Sequence, residues 1–494
     1  MAKIGRDPQG LSQETYDLII VGGGIYGVML SFEAAKRGLK SLLLEQGDFG
    51  GATTFNCLRI IHGGFRYLQT MDLHRFRESV SERRWFLKAF PELVSPLPCL
   101  MPLYGNGLRR PLFMRLGGLA NDFLSRDRNT GVKAENALPS SQFLDVEEVA
   151  QIFPEVDRAG LKGGIRWYDA IIPDPQFVLM EILRRSVQFG CPALNYVEGK
   201  SLITANNHVS GITARDTCSD RTFLFRSNVV INAAGPWSRQ FASAFDRDYP
   251  ELFKGSLAWN VLFDKPALSS HALAIAPKQP NARTYFLVPW KGRLLAGTGH
   301  APWNKGSKPP KPTKHMMDSF VDDLNFAVPN VGLTRENILH IFSGLLPATR
   351  EGGVGLTKRE VILDHSEHGG PKGFYSVSGV KFTTARLVAE KLLHRIFPDT
   401  SAQHDLHSEV FENSGNGRCM ARDFEADRTE GLDTASLEIL REIVDAEAVV
   451  TLDDLLFRRT DLWEALYCNN DLKMQLRQHL SLSDFPISRR NGGE

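Results

Sequence analysis

Short aliphatic runs recur along this chain between stretches of mixed polarity, and they follow two periods. Asp17–Val21 (DLIIV) and Ser41–Leu44 (SLLL) are unbroken, the pattern of strands in a parallel sheet covered on both faces. Asn228–Ala234 (NVVINAA) and Phe374–Lys381 (FYSVSGVK) repeat it, each leading into or through a glycine break. Helices are expected from near Ile25 and from about Thr383 to Ile396, the latter opening on Thr383-Thr384 with capping hydroxyls and free amides. Alternation over Thr284–Pro289 and again over Arg293–Gly297 predicts half-buried antiparallel strands. His74–Phe90 carries Phe76, Val80, Phe86 and Leu87 on a helical pattern. Leu437, Leu440, Ile443 and Val444, then Leu452, Leu455 and Leu456, predict a small helical unit near the C-terminus. Pro302–Thr313 and 402–418 lack apolar periodicity and read as an exposed loop and a linker.

The turn after the first strand is Gly22-Gly23-Gly24-Ile25-Tyr26-Gly27, a GxGxxG. Its glycines suit a tight turn, close approach of backbone to a pyrophosphate, and tight packing of helix on strand, while the helix start aims its amides at the phosphates. Glu45 ends the second strand 18 residues past Gly27, where a carboxylate meets the ribose hydroxyls of a dinucleotide. Gly50-Gly51-Ala52-Thr53-Thr54 adds small and hydroxyl side chains for a second contact, and Ala234-Gly235-Pro236-Trp237 and Gly379–Thr383 are two further backbone breaks of the same kind. Such segments, spread over about 380 residues, imply an α/β nucleotide-binding domain interrupted by insertions. The expected organisation is a Rossmann-like cofactor domain from 1–75, 155–240 and 345–398, an α+β substrate domain with an antiparallel sheet from 76–154 and 241–344, and a helical unit over 420–494.

Composition narrows the choice. The 494 residues are 42% hydrophobic and 23% charged, which excludes a disordered or fibrous chain. A net charge of +1 gives no bulk attraction for nucleic acid, so none is expected as a partner. Cys57, Cys99, Cys191, Cys218, Cys419 and Cys468 form no CxxC pair, so no metal site or dithiol centre is expected and the thiols read as reduced. The opening MAKIGRDPQG lacks a secretory apolar stretch, and the longest apolar run, Leu18–Leu30, is broken by four glycines and too short for a bilayer. A cytoplasmic protein, soluble or peripheral on the membrane, is expected. For the latter, Arg109–Arg128 mixes Arg109, Arg110 and Arg115 with Leu112, Phe113, Met114, Leu116 and Phe123, as an interfacial helix or a helix packed on its own core would.

DLIIVGGGIYGVML, IIHGGFRYLQ (60–69), NAAGPW (232–237), FLVPWKGRLLAGTG (286–299), YSVSGVKFTTARLVAEKLL (375–393) and VTLDDLLFRRT (450–460) occur in the order found in a known family. The chain resembles the FAD-dependent glycerol-3-phosphate dehydrogenases, within the wider D-amino-acid-oxidase-like family. HGGxRYL and DLLxRRT are specific to that group. The resemblance implies bound FAD without nicotinamide, hydride transfer from a secondary alcohol to flavin N5, a small-molecule substrate and a separate electron acceptor, quinone or oxygen. It sets Arg66 and Tyr67 at the substrate and aligns Lys381 with a family lysine, with Val380 where the family has glycine. Cofactor contacts are expected from Gly22, Gly24, Gly27, Glu45, Thr53, Thr54, Ala234, Gly235, Gly379, Lys381, Phe382 and Thr383.

Three positions depart from the family. Leu346 stands for an arginine that grips the substrate, Leu257 for a histidine and His300 for an aspartate. Losing a guanidinium removes a charge-assisted bond of roughly 1.5–3 kcal/mol. Arg350, Arg359 or Lys381 are candidates to replace it, and Leu257, Trp259 and Leu346 are expected to make the pocket more apolar. His62 and His300 are the candidate bases, because imidazole titrates near neutral pH. An amine or amino-acid oxidase, an oxidase of a more apolar substrate, and a non-catalytic flavin-binding protein are the competing readings.

Overall fold

Residues 3–68, 70–105, 110–277, 283–303, 310–400, 411, 434–466, 470–480 and 482 are described by the computed structural model. Leu18–Val21 lies in a six-stranded sheet, ordered Val361–Asp364, Phe374–Ser378, Val230–Asn232, Leu18–Val21, Ser41–Leu44 and Ala193–Leu194. All its pairs are parallel except the first. The unbroken aliphatic runs are explained by two coverings. Leu18, Ile20 and Leu43 pack on Val28, Phe32, Leu183 and Leu392 of the helices Ile25–Lys36, Pro175–Gln188 and Ala385–Ile396. Ile19, Val21, Leu42 and Leu44 point the other way, onto Val209, Ile212 and Phe225 of a four-stranded sheet. With water excluded from both faces, each strand position must be apolar.

The second body is a nine-stranded, mostly antiparallel sheet containing Ser95–Pro102, Gly164–Ile171, Gly255–Pro266, Tyr285–Trp290, Arg293–Pro302 and Ile338–Pro347. Gly164–Ile171 was expected in the cofactor part, but it pairs with Ser95–Pro102 across eight residues, and the chain returns to the six-stranded sheet only with Pro175–Gln188. The helix predicted over His74–Phe90 is Leu73–Ala89, capped by the Asp72 side chain.

The C-terminal helical unit is present in Thr434–Ala446, Asp454–Arg459, Trp463–Leu466 and Asn470–His479. It touches the large sheet and the N-terminal segment: Trp463 stacks on Trp290 at 5.9 Å, and Ile4 N–H donates to Ala446 O at 2.8 Å. Residues 304–309 of the Pro-rich loop lie outside the described residues, as do Arg109 and all of the expected 402–418 linker except Phe411, which stacks on Phe90. Cys57, Cys99, Cys191 and Cys218 are free thiols. Among the described residues no helix is long and apolar enough to cross a membrane, and no His, Cys, Asp and Glu cluster has metal-ligand geometry.

Candidate active site

The glycine turn follows from what surrounds it. Gly22 has φ +114°, and a Cβ there would lie 2.5 Å from Ala233 O; one on Gly27 would lie 1.8 Å from Gly22 O. Only glycine lets helix Ile25–Lys36 start this close to two strand ends. Gly24 is its N-cap and supplies no side chain, so first-turn amides are left for a ligand. Thr54 Oγ1 takes one of them, from Ile25, at 3.1 Å. Thr53 Oγ1 donates to Leu345 O at 3.1 Å, joining this loop to the large sheet. Glu45 is half-buried and accepts from Gly23 N–H (2.6 Å) and Gly47 N–H (2.8 Å), and desolvation raises its pKa despite those bonds. Its carboxylate therefore braces the turn. Ala234 N–H donates to Asn232 Oδ1, and Gly235 has φ +54° at the end of the neighbouring strand. This cradle fits an extended dinucleotide, with its glycines filling the role a Cβ would block.

At the other end of the cradle, the turn from Gly379 to Lys381 is held by Tyr26. Its hydroxyl donates to Lys381 O at 2.9 Å and accepts from Lys381 N–H at 3.3 Å, and its ring fills the space a Cβ on Gly379 would need. Phe382 packs on Phe86, and Thr383 is buried. Thr384 sits at the helix N-cap, yet its hydroxyl makes no capping bond, contrary to the expectation for this pair. The first amide of that helix, Ala385 N–H, instead donates to Phe382 O at 3.2 Å.

His62, Arg66 and Tyr67 lie in one short stretch: His62 follows strand Ile60–Ile61, and the other two sit on helix Phe65–Leu68. Lys381 Nζ lies over the Tyr67 ring at 4.2 Å, and Arg75 flanks that ring at the same distance. Burial, then the neighbouring Arg66, pushes the Lys381 ammonium down to about 8. An anion relieves such a site. Beside it a shallow cleft is lined by Arg75, Lys358, Arg359, Lys381 and Lys391 against Glu78 and Glu360.

His62 Nδ1 meets Asp169 Oδ2 at 3.1 Å, while Asp169 Oδ1 accepts from Gly63 N–H (2.7 Å) and Arg83 (2.9 Å). Burial opposes ionisation of Asp169, but His62, Arg83 and the Gly63 amide outweigh it and hold the carboxyl at about 2. An ionised carboxylate only accepts, so it fixes the proton on Nδ1 and leaves Nε2 as the accepting nitrogen. The His62 ring is half exposed and packs against Phe286 at 5.5 Å. Gly63 is needed where it is because a Cβ there would lie 2.0 Å from the Arg83 guanidinium.

Other expected residues fall elsewhere. His300 lies opposite Ala258 on the face that also carries Gly344, packed against Thr53. Burial and Arg283 push its imidazole down to about 4, so it is a weak proton acceptor near neutrality. Arg350 is exposed on a turn closed by the Gly353 N–H to Arg350 O bond and does not line the cleft, whereas Arg359 does. Leu346 faces the same side as Gly344, but Leu257 and Trp259 alternate to the opposite face and pack on Phe320 and Leu324. The apolar wall expected from those two residues is core. Asp169, Arg83 and Tyr26 were not singled out by sequence. Asp169 is 107 positions from His62, and only a charged residue inside an otherwise apolar strand, WYDAI, marked it.

A glycine-lined cradle that fits a dinucleotide, a cationic cleft beside the Lys381 turn and a His62–Asp169 pair at the large sheet are together the features of a nucleotide-cofactor oxidoreductase. The chain belongs to the FAD dependent oxidoreductase family, DAO, whose profile matches residues 17–395. It is 30% identical over 404 residues to a glycerol-3-phosphate dehydrogenase of Synechocystis, covering 78% of this chain and 71% of that protein. An aerobic glycerol-3-phosphate dehydrogenase of Bacillus subtilis is 26% identical over 78% of this chain and 67% of its own length. Among solved structures, the glycerol-3-phosphate dehydrogenase of Bacillus halodurans complexed with FAD superposes with a TM-score of 0.69 at 19% identity, over 97% of this chain and 93% of that one.

Proposed function

We propose that the protein oxidises the secondary alcohol of a small anionic substrate, glycerol 3-phosphate or a close relative. The observation that carries this is the Lys381 ammonium, desolvated on the Tyr67 face beside Arg66, with no carboxylate among the causes that set its pKa. An amine substrate would bring a third cation to that pair and be repelled; a phosphate or carboxylate neutralises it.

In this reading Gly22, Gly24, Gly27, Glu45, Thr53 and Thr54 hold the nucleotide half of FAD, and Ala234, Gly235, Gly379, Phe382 and Thr383 its flavin half. FAD held there would supply the two-electron acceptor for the hydride that leaves the substrate's carbinol carbon. Lys381 and Arg66 grip the anionic end, with Arg359 and Lys358 across the cleft replacing the guanidinium that Leu346 does not supply. His62 Nε2 takes the hydroxyl proton as the C–O bond becomes a carbonyl, and Asp169 keeps the ring turned to receive it. Phe286 shields that imidazole from bulk water on one side.

The reading is supported further by relatives named glycerol-3-phosphate dehydrogenase at 26–30% identity. The test is a panel in which glycerol 3-phosphate, glycerol and small amino acids are compared for flavin reduction. Reduction by the phosphate ester at a rate far above glycerol is expected; preference for an amine would overturn the reading.

Helix Pro111–Leu124 fits a peripheral contact with the cytoplasmic face of a membrane. Leu112, Leu116, Leu119 and Phe123 form one stripe, 55–69% exposed, flanked by Arg110, Arg115 and Arg126. Only Met114, Gly118 and Asn121 are buried, so the stripe faces away from the core. A quinone would be the acceptor within reach there.

A further inference from the structure

Arg458 and Arg459 of the DLLFRRT stretch do not end in solvent. Arg459 is fully buried and grips Asp48 with two parallel bonds, Nη1 to Oδ2 at 2.8 Å and Nη2 to Oδ1 at 2.7 Å, while its Nε donates to Glu447 O at 3.0 Å. Arg458 Nε donates to the same Asp48 Oδ2 at 2.6 Å, and its Nη2 to Asp454 Oδ1 at 2.6 Å. Asn195 completes the shell by donating from Nδ2 to Asp48 Oδ1 (2.9 Å) and to Ala448 O (2.7 Å). Tyr196 OH donates to Asp454 Oδ1 at 2.7 Å. Burial opposes the charge on Asp48, yet the two arginines bring its pKa to about 2.

The position of Asp48 gives the network its meaning. It lies between Glu45 and Gly50 in the loop that runs on to Thr53 and Thr54. That loop is tied to the glycine turn by Gly50 N–H to Gly23 O at 2.9 Å and by Thr54 to Ile25. Its start is paired with the neighbouring strand through Val197 N–H to Glu45 O and Tyr196 N–H to Gly47 O, each 2.8 Å. On its outer side the charged anchor is supplied by the C-terminal unit, more than 400 residues away (Asp48 to Arg459, separation 411).

We infer that Arg458 and Arg459 are positioning residues for the cofactor: the C-terminal unit latches the Glu45–Thr54 loop in the shape that receives FAD. A buried bidentate pair holds a loop in one geometry, because any shift of Asp48 strands three charges away from water. The latch acts through the loop and touches neither substrate nor reacting atoms. The inference rests on the cradle proposed above.

The test measures the FAD dissociation constant of stripped protein by quenching of flavin fluorescence, together with the melting temperatures of the stripped and reloaded forms. Arg459→Lys keeps the charge but loses the fork. It is expected to weaken FAD at least tenfold, to narrow the gap between the two melting temperatures, and to leave the substrate KM of FAD-saturated protein unchanged. An FAD affinity within twofold of the parent, with both forms destabilised equally, would make the pair a structural clamp and overturn the inference. Should Arg459→Lys not fold, Arg458→Lys decides it by the same readouts, since that side chain is only partly buried. Gly24→Val separates the two layers: if it retains full FAD affinity the cradle itself is misassigned, whereas loss there with a silent arginine variant rejects only the latch.

Discussion

At Lys381 two effects compete for one proton: the aromatic face of Tyr67 favours the ammonium, while burial and Arg66 disfavour it and win, leaving a pKa of about 8. A group lowered in this way is charged below that pH and neutral above it. The KM for an anionic substrate should therefore rise as pH climbs past about 8, and steady-state kinetics across that range would show it. Lys381→Met should raise KM roughly 10–100-fold, the worth of one charge-assisted contact, and remove the dependence. At His62 the expected effect is on turnover. His62→Gln should lower kcat about 100-fold or more, and Asp169→Asn should lower it less while moving the pH profile, since the ring loses its fixed tautomer. A kcat unchanged in His62→Gln would remove it as the base. His62, Arg66 and Tyr67 could be singled out from sequence because they sit in one contiguous motif with Gly63 and Gly64. Asp169 was not, because its strand reaches His62 only through the tertiary fold, and no local pattern announces a partner 107 positions away.

Elements were readable where one period held over their length. The strands Leu18–Val21 and Ser41–Leu44 and the helix Leu73–Ala89 match the hydrophobic pattern almost to the residue. Gly164–Ile171 did not, because its charged and aromatic positions blur the alternation, and the boundary drawn at 155 put it beside the wrong sheet. A pleat also defeats residue-by-residue alignment: Leu257 and Ser256 are neighbours in sequence and face opposite sides of the sheet, so the substitution at 257 alters core rather than pocket. For helix Pro111–Leu124 the sequence left open whether the apolar face packs inward, and its exposure answers that question alone. Its apolar stripe faces outward, and Leu116→Asp combined with Phe123→Asp should abolish sedimentation with anionic vesicles while leaving the melting temperature within a degree or so, because surface changes cost little. Sedimentation equal to the parent would remove this helix as the contact.

For the whole molecule, the loop from Glu45 to Thr54 is bonded to the glycine turn, to the nine-stranded sheet and to the C-terminal unit, so a cofactor held there should stabilise all three at once. Ligand binding to the folded state adds about 4 kcal/mol at roughly 1,000 times the dissociation constant, so saturating FAD should raise the midpoint as one cooperative transition. A shift confined to part of a biphasic melt would show that the C-terminal unit stands apart. The order of motifs from Gly22 to Arg459 made the interrupted cofactor domain readable in sequence, because each segment carries its own glycine break. How the C-terminal arginines reach Asp48 was not, since an Arg-Arg pair that reads as a structural cap or ion pair gives no clue to its distant carboxylate. Binding of FAD and oxidation of a phosphorylated alcohol are joined in one experiment: purified yellow protein is mixed anaerobically with glycerol 3-phosphate and the flavin band at about 450 nm is followed. Rapid loss of that band, slowed strongly in Lys381→Met and His62→Gln, is the predicted result. A band that stays intact with glycerol 3-phosphate, or a protein that takes up no FAD, would contradict it.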